Sequence, residues 1–366
     1  SVGGNPTAHI VLPRGTGVPG LALDFAINKD SGELTGTVGD GTSATPASVR
    51  AWRQTAPPSA QVGSFTAVLL LDPALAGTDA TTSPPGNAAN FTYPQGYGYL
   101  TLKLDNKGTA TWGGRLSDGT GITGSSSAGP TGALPFFQLL YGNVAATTGS
   151  ATGWVAVAAD SAIPQNGGKP LLDGLISWNK GPQLPASTTR SYKGGFPLHN
   201  LTVVGGLYSP PAANTIIFGL PVVTLPAVNS RLVFREGGLA GPPPVVAAVM
   251  AGDLNKSWHL STAHKATLPA GVANPAAVSL TLLPTVGTFT AGFTLKNDPD
   301  PTDIIPPVTL LPRPVIAYGV LVPRTGRGYG HFQLPQLPAT TPLPKTTLGT
   351  SPQYSGSVLL EAIPGN

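Results

Sequence analysis

Asp30-Ser31-Gly32 is the one place where the sequence carries the Asp-Ser/Thr-Gly core of paired-aspartate proteolysis. That chemistry needs two carboxylates sharing a proton, one from each of two such loops. No second copy occurs: Asp40 and Asp118 are followed by Gly-Thr, the reverse order, and Asn28 and Lys29 stand where apolar residues normally precede the motif. A hairpin turn is the better reading of Asp30, and also of "DNKGTATW" (Asp105 to Trp112), where Asp and Trp are too far apart for a sialidase-type Asp-box. Glutamate occurs only at Glu33, Glu236 and Glu361, so a glycosidase pair would have to be built from aspartates, and no pair is singled out by spacing. No serine sits in a Gly-x-Ser-x-Gly elbow.

Two further groups of residues carry binding chemistry. Asp298, Asp300 and Asp303 in "DPDPTD" alternate carboxylates along a loop, a pattern that suits Ca²⁺ through oxygen ligands, without the glycine and distant Glu of an EF-hand. Tyr97 and Tyr329, each in a Gly-Tyr-Gly triplet, are candidate stacking platforms for polysaccharide, together with Trp52, Trp112, Trp154, Trp178 and Trp258. Of the five histidines, His259 and His264 are close in sequence but fall on opposite faces of a strand, which does not make a metal site. Asn90, Asn200 and Asn255 begin Asn-x-Ser/Thr sequons. No catalytic constellation emerges, and a non-catalytic protein without a cofactor other than the Ca²⁺ candidate is expected.

Composition explains what must position these residues. The 366 residues are 40% hydrophobic but only 10% charged, against about 25% charged in typical soluble domains. The surface must then be made of Thr, Ser, Asn and Gln, which suits a protein working among neighbours. Gly (48) and Pro (40) approach a quarter of the chain, yet runs such as "FTAVLLL" and "VSLTLL" are too apolar to stay solvated. Gly and Pro therefore punctuate many short strands, and the fold class is all-β, with antiparallel sandwich or barrel units and long Pro/Gly-rich loops. Cysteine is absent, which excludes thiolate chemistry. The chain starts at Ser1, as a form processed from a secreted precursor would, and no apolar run is long enough for a membrane span. The net charge of +4 reflects few acids rather than a basic stripe; the tightest basic group, Arg313, Arg324 and Arg327, is too sparse for nucleic acid.

Three segments share one grammar: Leu21 to Thr42, Tyr99 to Thr120 and Val278 to Asp298. Each opens with period-two apolar alternation (Leu23, Phe25, Ile27; Leu100, Leu102, Leu104; Val278, Leu280, Leu282), meets a turn glycine (Gly32, Gly108, Gly287) and returns through Gly36, Gly114 or Gly292. The Leu21 hairpin precedes "SFTAVLLLDP", "GYGYLTL" and "GGRLSDG"; the Val278 hairpin precedes "AYGVLVPR", "GYGHFQL" and "SGSVLLE". This order predicts two related units: an extended arm over 1–20, a first domain over 21–183, and a second over 191–366 holding a diverged copy at 278–361, with a boundary in "KGPQLPASTTR" (Lys180 to Arg190). Loops at Thr78 to Ala89, Asp298 to Pro307 and Pro335 to Thr350 should be exposed.

The combination "GYGYLTLKLDNKGTATWGGRLSDGT", "LPFFQLLYG" and "LLDGLISWNK", with the C-terminal "VIAYGVLVPRTGRGYGHFQL" and "SGSVLLE", resembles segments of large secreted, repeat-rich β surface proteins of the Planctomycetes–Verrucomicrobia kind. The resemblance implies extracellular or cell-surface placement and no established activity. With the low charge and many strands, it predicts a structural subunit of a filament, sheath or surface layer, self-associating through sheet edges or the N-terminal arm. A carbohydrate-binding or adhesion module is the alternative, and a hydrolase whose aspartates converge only in three dimensions is a third reading.

Overall fold

Short alternating segments separated by Gly and Pro give antiparallel ladders wherever a turn lets the chain double back, and that is what the computed structural model contains. It describes residues 4–42, 45–75, 92–142, 148–160, 164–239, 254–303, 309–340 and 345–363. Among these, twenty strands form three antiparallel sheets. The turn glycines behave as their positions require: Gly32, Gly108 and Gly287 all have positive φ (66°, 84° and 75°), a conformation that side chains with a Cβ resist. At Gly108 the turn is reinforced by Asp105, whose carboxylate accepts the backbone N–H of Lys107 and Thr109 at 2.9 and 2.8 Å.

The first sheet is a four-stranded meander of β1 (Thr7–Leu12), β2 (Leu21–Ile27), β3 (Glu33–Gly39) and β4 (Ala47–Trp52). The second has eight strands: β5 (Gly63–Leu71), β6 (Gly98–Leu104), β7 (Thr109–Arg115), β8 (Gly121–Ser127), β9 (Ala133–Leu140), β10 (Gly149–Ala158), β11 (Leu171–Lys180) and β12 (Phe196–Leu207). It is a nearly closed barrel made of two four-stranded meanders, β5–β8 and β9–β12. One seam is a full ladder between β5 and β12, from Leu71↔Leu201 to Phe65↔Leu207. At the other, β8 and β9 are bridged by a side chain, with Thr123 N–H donating to Gln138 Oε1 at 3.1 Å.

The third sheet is a second eight-stranded barrel: β13 (Ser230–Glu236), β14 (Lys256–Leu260), β15 (Ala266–Thr267), β16 (Ser279–Leu283), β17 (Thr288–Pro299), β18 (Leu310–Val322), β19 (Arg327–Pro335) and β20 (Gln353–Ala362). Here too the first and last strands pair, Ser230↔Ala362 to Glu236↔Gly356. Alternation puts one face of each strand inside. Leu100, Leu102 and Leu104 of β6 join Trp112, Phe136 and Trp178 in the first core, and Phe234, Phe289, Phe293 and Phe332 anchor the second. Both barrels are filled with apolar side chains, not hollow. Among the described residues no helix is long and apolar enough to cross a membrane.

Three organisational expectations are corrected. Lys180 to Arg190 does not divide the domains: β12 follows it and completes the first barrel, so the division falls between Leu207 and Ser230. Ring closure by the last strand overrides the linker-like composition. The four-element correspondence also fails. The Leu21 hairpin (β2–β3) lies in the small sheet while the Val278 hairpin (β16–β17) belongs to the second barrel, and the Gly-Tyr-Gly strands are second in one ring and seventh in the other. The N-terminal segment is extended, but residues 7–12 are hydrogen-bonded along β2. The Thr78 to Ala89 loop lies outside the described residues.

Candidate assembly surface

Neither group of predicted site residues forms a site of the expected kind. Asp298 is buried at the end of β17, where Arg313 of β18 holds its Oδ2 through Nε and Nη2 at 2.8 and 2.7 Å. Asp300 Oδ1 accepts from Thr302 N–H and Oγ1, each at 2.8 Å, and Asp303 Oδ2 accepts from Thr309 N–H and Oγ1 at 3.0 and 2.8 Å. The three carboxylates serve an ion pair and two turns, and among the described residues they are not gathered into one group. The three arginines grouped in sequence are each neutralised separately: Arg313 by Asp298, Arg324 by Asp173 and Arg327 by Glu361. Asp30, Asp40 and Asp118 do not converge either: Asp30 and Asp40 belong to turns of the small sheet, while Asp118 is buried in the first barrel.

Tyr329 is buried and Tyr97 half-buried. They meet each other edge to face, with ring centroids 5.3 Å apart, inside an apolar cluster of Val68, Val320, Val322 and Tyr329 that lies between the barrels. Two residues on, Tyr99 stacks on His331 at 6.2 Å. Tyr97 N–H donates to Gly330 O at 3.2 Å, and His331 Nδ1 lies 3.1 Å from Tyr97 O. The flanking Gly96 is required by the close approach of the second barrel: a Cβ there would stand 2.4 Å from His331 Cβ and 2.6 Å from Gly356 O of β20. The echo in the sequence thus marks two segments that face one another. Around them Gln333 Nε2 donates to Ser117 O at 2.7 Å, Thr66 Oγ1 to Leu321 O at 2.6 Å, and Arg324 pairs with Asp173. Burial of His331 (1% exposed) pushes its pKa down to about 4, although the Tyr97 carbonyl works in the other direction.

Lys180 was missed as a structural residue, yet its parity announced it. It continues the inward series Ile176 and Trp178 along β11. Its ammonium ends 3.1 Å from Asp118 Oδ2, donates to Ser191 O at 2.7 Å and sits 4.3 Å from the Tyr141 ring centroid. The Lys180 and Asp118 side chains are 1% and 0% exposed. Burial lowers the Lys180 pKa, opposed by Asp118, and raises that of the Tyr141 hydroxyl, which accepts from Trp178 Nε1 at 2.8 Å. With both charges satisfied and sealed from water, this network plugs the barrel end; it has no face open to a substrate.

A one-sided apolar surface is found in the small sheet. One rung across its four strands reads Ile10, Leu23, Val38, Ala47, and a second reads Ala8, Phe25, Gly36, Val49. The rung between them, on the opposite face, reads His9, Asp24, Thr37, Ser48. One face is therefore apolar throughout, while the other mixes His9, Asp24, Thr37 and Ser48 with Val11, Ala22, Ala26 and Trp52. In the barrels the equivalent apolar face is the buried one, but no residue of β1–β4 is buried, and Ile10 and Leu12 are 42% and 47% exposed. It is the mixed side that meets the first barrel: Trp52 Nε1 donates to Ser127 O at 3.1 Å, and the Arg50 guanidinium lies 5.6 and 5.7 Å from the Trp52 and Trp154 ring centroids. Among the described residues, no side chain of the apolar face belongs to either barrel core. Sequence reading found its β2 residues but not their β1 and β4 neighbours, nor that among the described residues they join neither barrel core.

A second feature is a groove of about 530 Å³ between the barrels, lined by Ser64, Tyr99, Thr101, Lys103, Thr111 and Thr288 among others.

No protein-family model matches the chain, and neither does any curated protein. Among solved structures it is similar to two crystal structures of transferrin binding protein B from Haemophilus parasuis Hp5, a Tyr-167-Ala/Trp-176-Ala double mutant and a Trp-176-Ala mutant. Identity is 9% and the TM-score 0.21 in both, covering 93% and 94% of this chain. The chain spans 65% and 66% of the length of those two chains. A likeness at that TM-score carries no argument about this protein, whose architecture rests on its own strand pairing.

Proposed function

We propose that this protein is a non-catalytic, extracellular structural subunit of a surface assembly such as a filament, sheath or surface layer. The observation that supports the reading is the apolar face of β1–β4, a surface patterned for burial of which no residue is fully buried among the described residues. Exposed contiguous apolar surface of this kind belongs to proteins that associate. A chain with only 10% charged residues sets little electrostatic repulsion against close packing. Light scattering on the purified chain from micromolar to millimolar concentration, with electron microscopy of the product, tests the reading. The expected mass climbs above the 37.0 kDa of one chain, and Phe25→Lys suppresses the climb. A particle that remains at one chain mass throughout overturns it.

The groove between the barrels favours a second reading, a carbohydrate-binding module. It is lined by Ser64, Thr101, Thr111 and Thr288 together with Tyr99, hydroxyl-bearing and aromatic residues of the kind that orient a sugar. Glycan binding abolished by Thr101→Val, with association unimpaired, would favour this reading over the first.

A further inference from the structure

We infer that the occupant of the β1–β4 face is a second copy of the same sheet, and that two copies close into one eight-stranded ring. The inference rests on the assembly reading and specifies the geometry of one contact in it, a closed dimer.

The first barrel supplies the pattern. It consists of two four-stranded meanders, β5–β8 and β9–β12, with apolar faces turned inward and the first strand of one paired to the last strand of the other. β1–β4 is a meander of the same strand number with the same one-sided pattern, and it has no second half among the described residues. Its edges are β1 and β4, which run antiparallel because three hairpin turns separate them. A twofold axis along the ring axis therefore brings β1 of each copy antiparallel to β4 of the other, the β5–β12 relationship repeated between molecules. Closure leaves no free edge.

Charge and size agree. The apolar face carries no ionised group, so it meets its own copy without like-charge repulsion, while the pairs His9–Asp24 and Arg50–Glu33 stay on the outer side. With strands about 4.8 Å apart and a rise of about 3.4 Å per residue, a face of this sheet covers roughly 400 Å² in projection. Protruding side chains raise the accessible surface to about 600–800 Å² per copy, so that closure buries an area within the ~1,200–2,000 Å² of stable interfaces.

The absence of cysteine makes the test clean. Val11→Cys on β1 and Ser48→Cys on β4 both place a thiol on the outer face of an edge strand. Each variant alone, and an equal mixture of the two, is treated with a short bis-maleimide in the full-length chain, and dimer mass is followed by sedimentation. The expected result is a dimer of two 37.0 kDa chains in which the mixture cross-links and neither variant alone does. Leu23→Asp should weaken the dimer about a hundredfold or more. Cross-linking of each variant with itself, or an open polymer unaffected by Leu23→Asp, overturns the ring while leaving the assembly reading standing. A monomer at every concentration overturns both.

Discussion

Single residues decide how this protein responds to acid. His331 is held neutral between the barrels with its pKa at about 4, against 6.5 for an unperturbed imidazole. As pH falls through 6.5 the unfolded chain takes up the proton first, so the stability is whole above that value and drains away down to about pH 4. The full loss is about 3 kcal/mol. His199, also lowered by burial, adds in the same direction. Denaturant midpoints at pH 7 and pH 4.5 should therefore differ strongly in the native chain and less in His331→Gln, which keeps a polar side chain near the Tyr97 carbonyl. An equal pH dependence in both would remove His331 as the cause. Much at this scale was legible: Asp30 and Asp105 are turn residues as their neighbours indicated, and Lys180 falls on an inward parity that anyone counting by twos along "LLDGLISWNK" could find. The partners of Asp298 and Lys180 were not legible, because Arg313 and Asp118 come from strands and turns brought near only by ring closure.

At the scale of elements, local alternation revealed strands and hairpins but not which strand would complete which ring. Alternation fixes the inward face of a strand, and turn chemistry fixes its neighbour in sequence. Nothing local says that β12 returns to β5 across more than a hundred residues, so the polar, Pro-containing stretch before it looked like a domain boundary. The Gly-Tyr-Gly echo marks two segments that face one another across the barrels, but for different local reasons: Gly96 admits His331 and Gly356 of the second barrel, while Gly330 admits the Tyr318 backbone of its own. The small sheet is the element least tied to the rest, since it contributes no buried residue. Removing residues 1–55 should leave the thermal midpoint of the barrels within about 2 °C of the parent in dilute solution, as surface changes alter stability little. In hydrogen exchange on the dilute chain, β1–β4 should lose protection before either barrel. A cooperative loss of all three sheets would show that the small one supports the others.

The whole molecule is two barrels locked through a shared apolar cluster and several backbone-directed hydrogen bonds. Gly96→Val forces a side chain toward Gly356 O, where a Cβ would already be 2.6 Å away. Such overpacking costs about 1–3 kcal/mol. Calorimetry should then resolve two transitions where the parent shows one, each barrel retaining its own core. A single transition at the parental temperature would mean that the barrels do not depend on this contact.

The pairing of first and last strands in each ring has a mechanical consequence. Phe65 lies opposite Leu207 and Ser230 opposite Ala362, so the polypeptide enters and leaves either barrel at the same end. Tension along the chain would pull those two strands apart one rung at a time, not slide them past each other. Subunits strung in series would then give way by peeling at low force, lengthening under strain and absorbing work where a sheared sandwich would resist and snap.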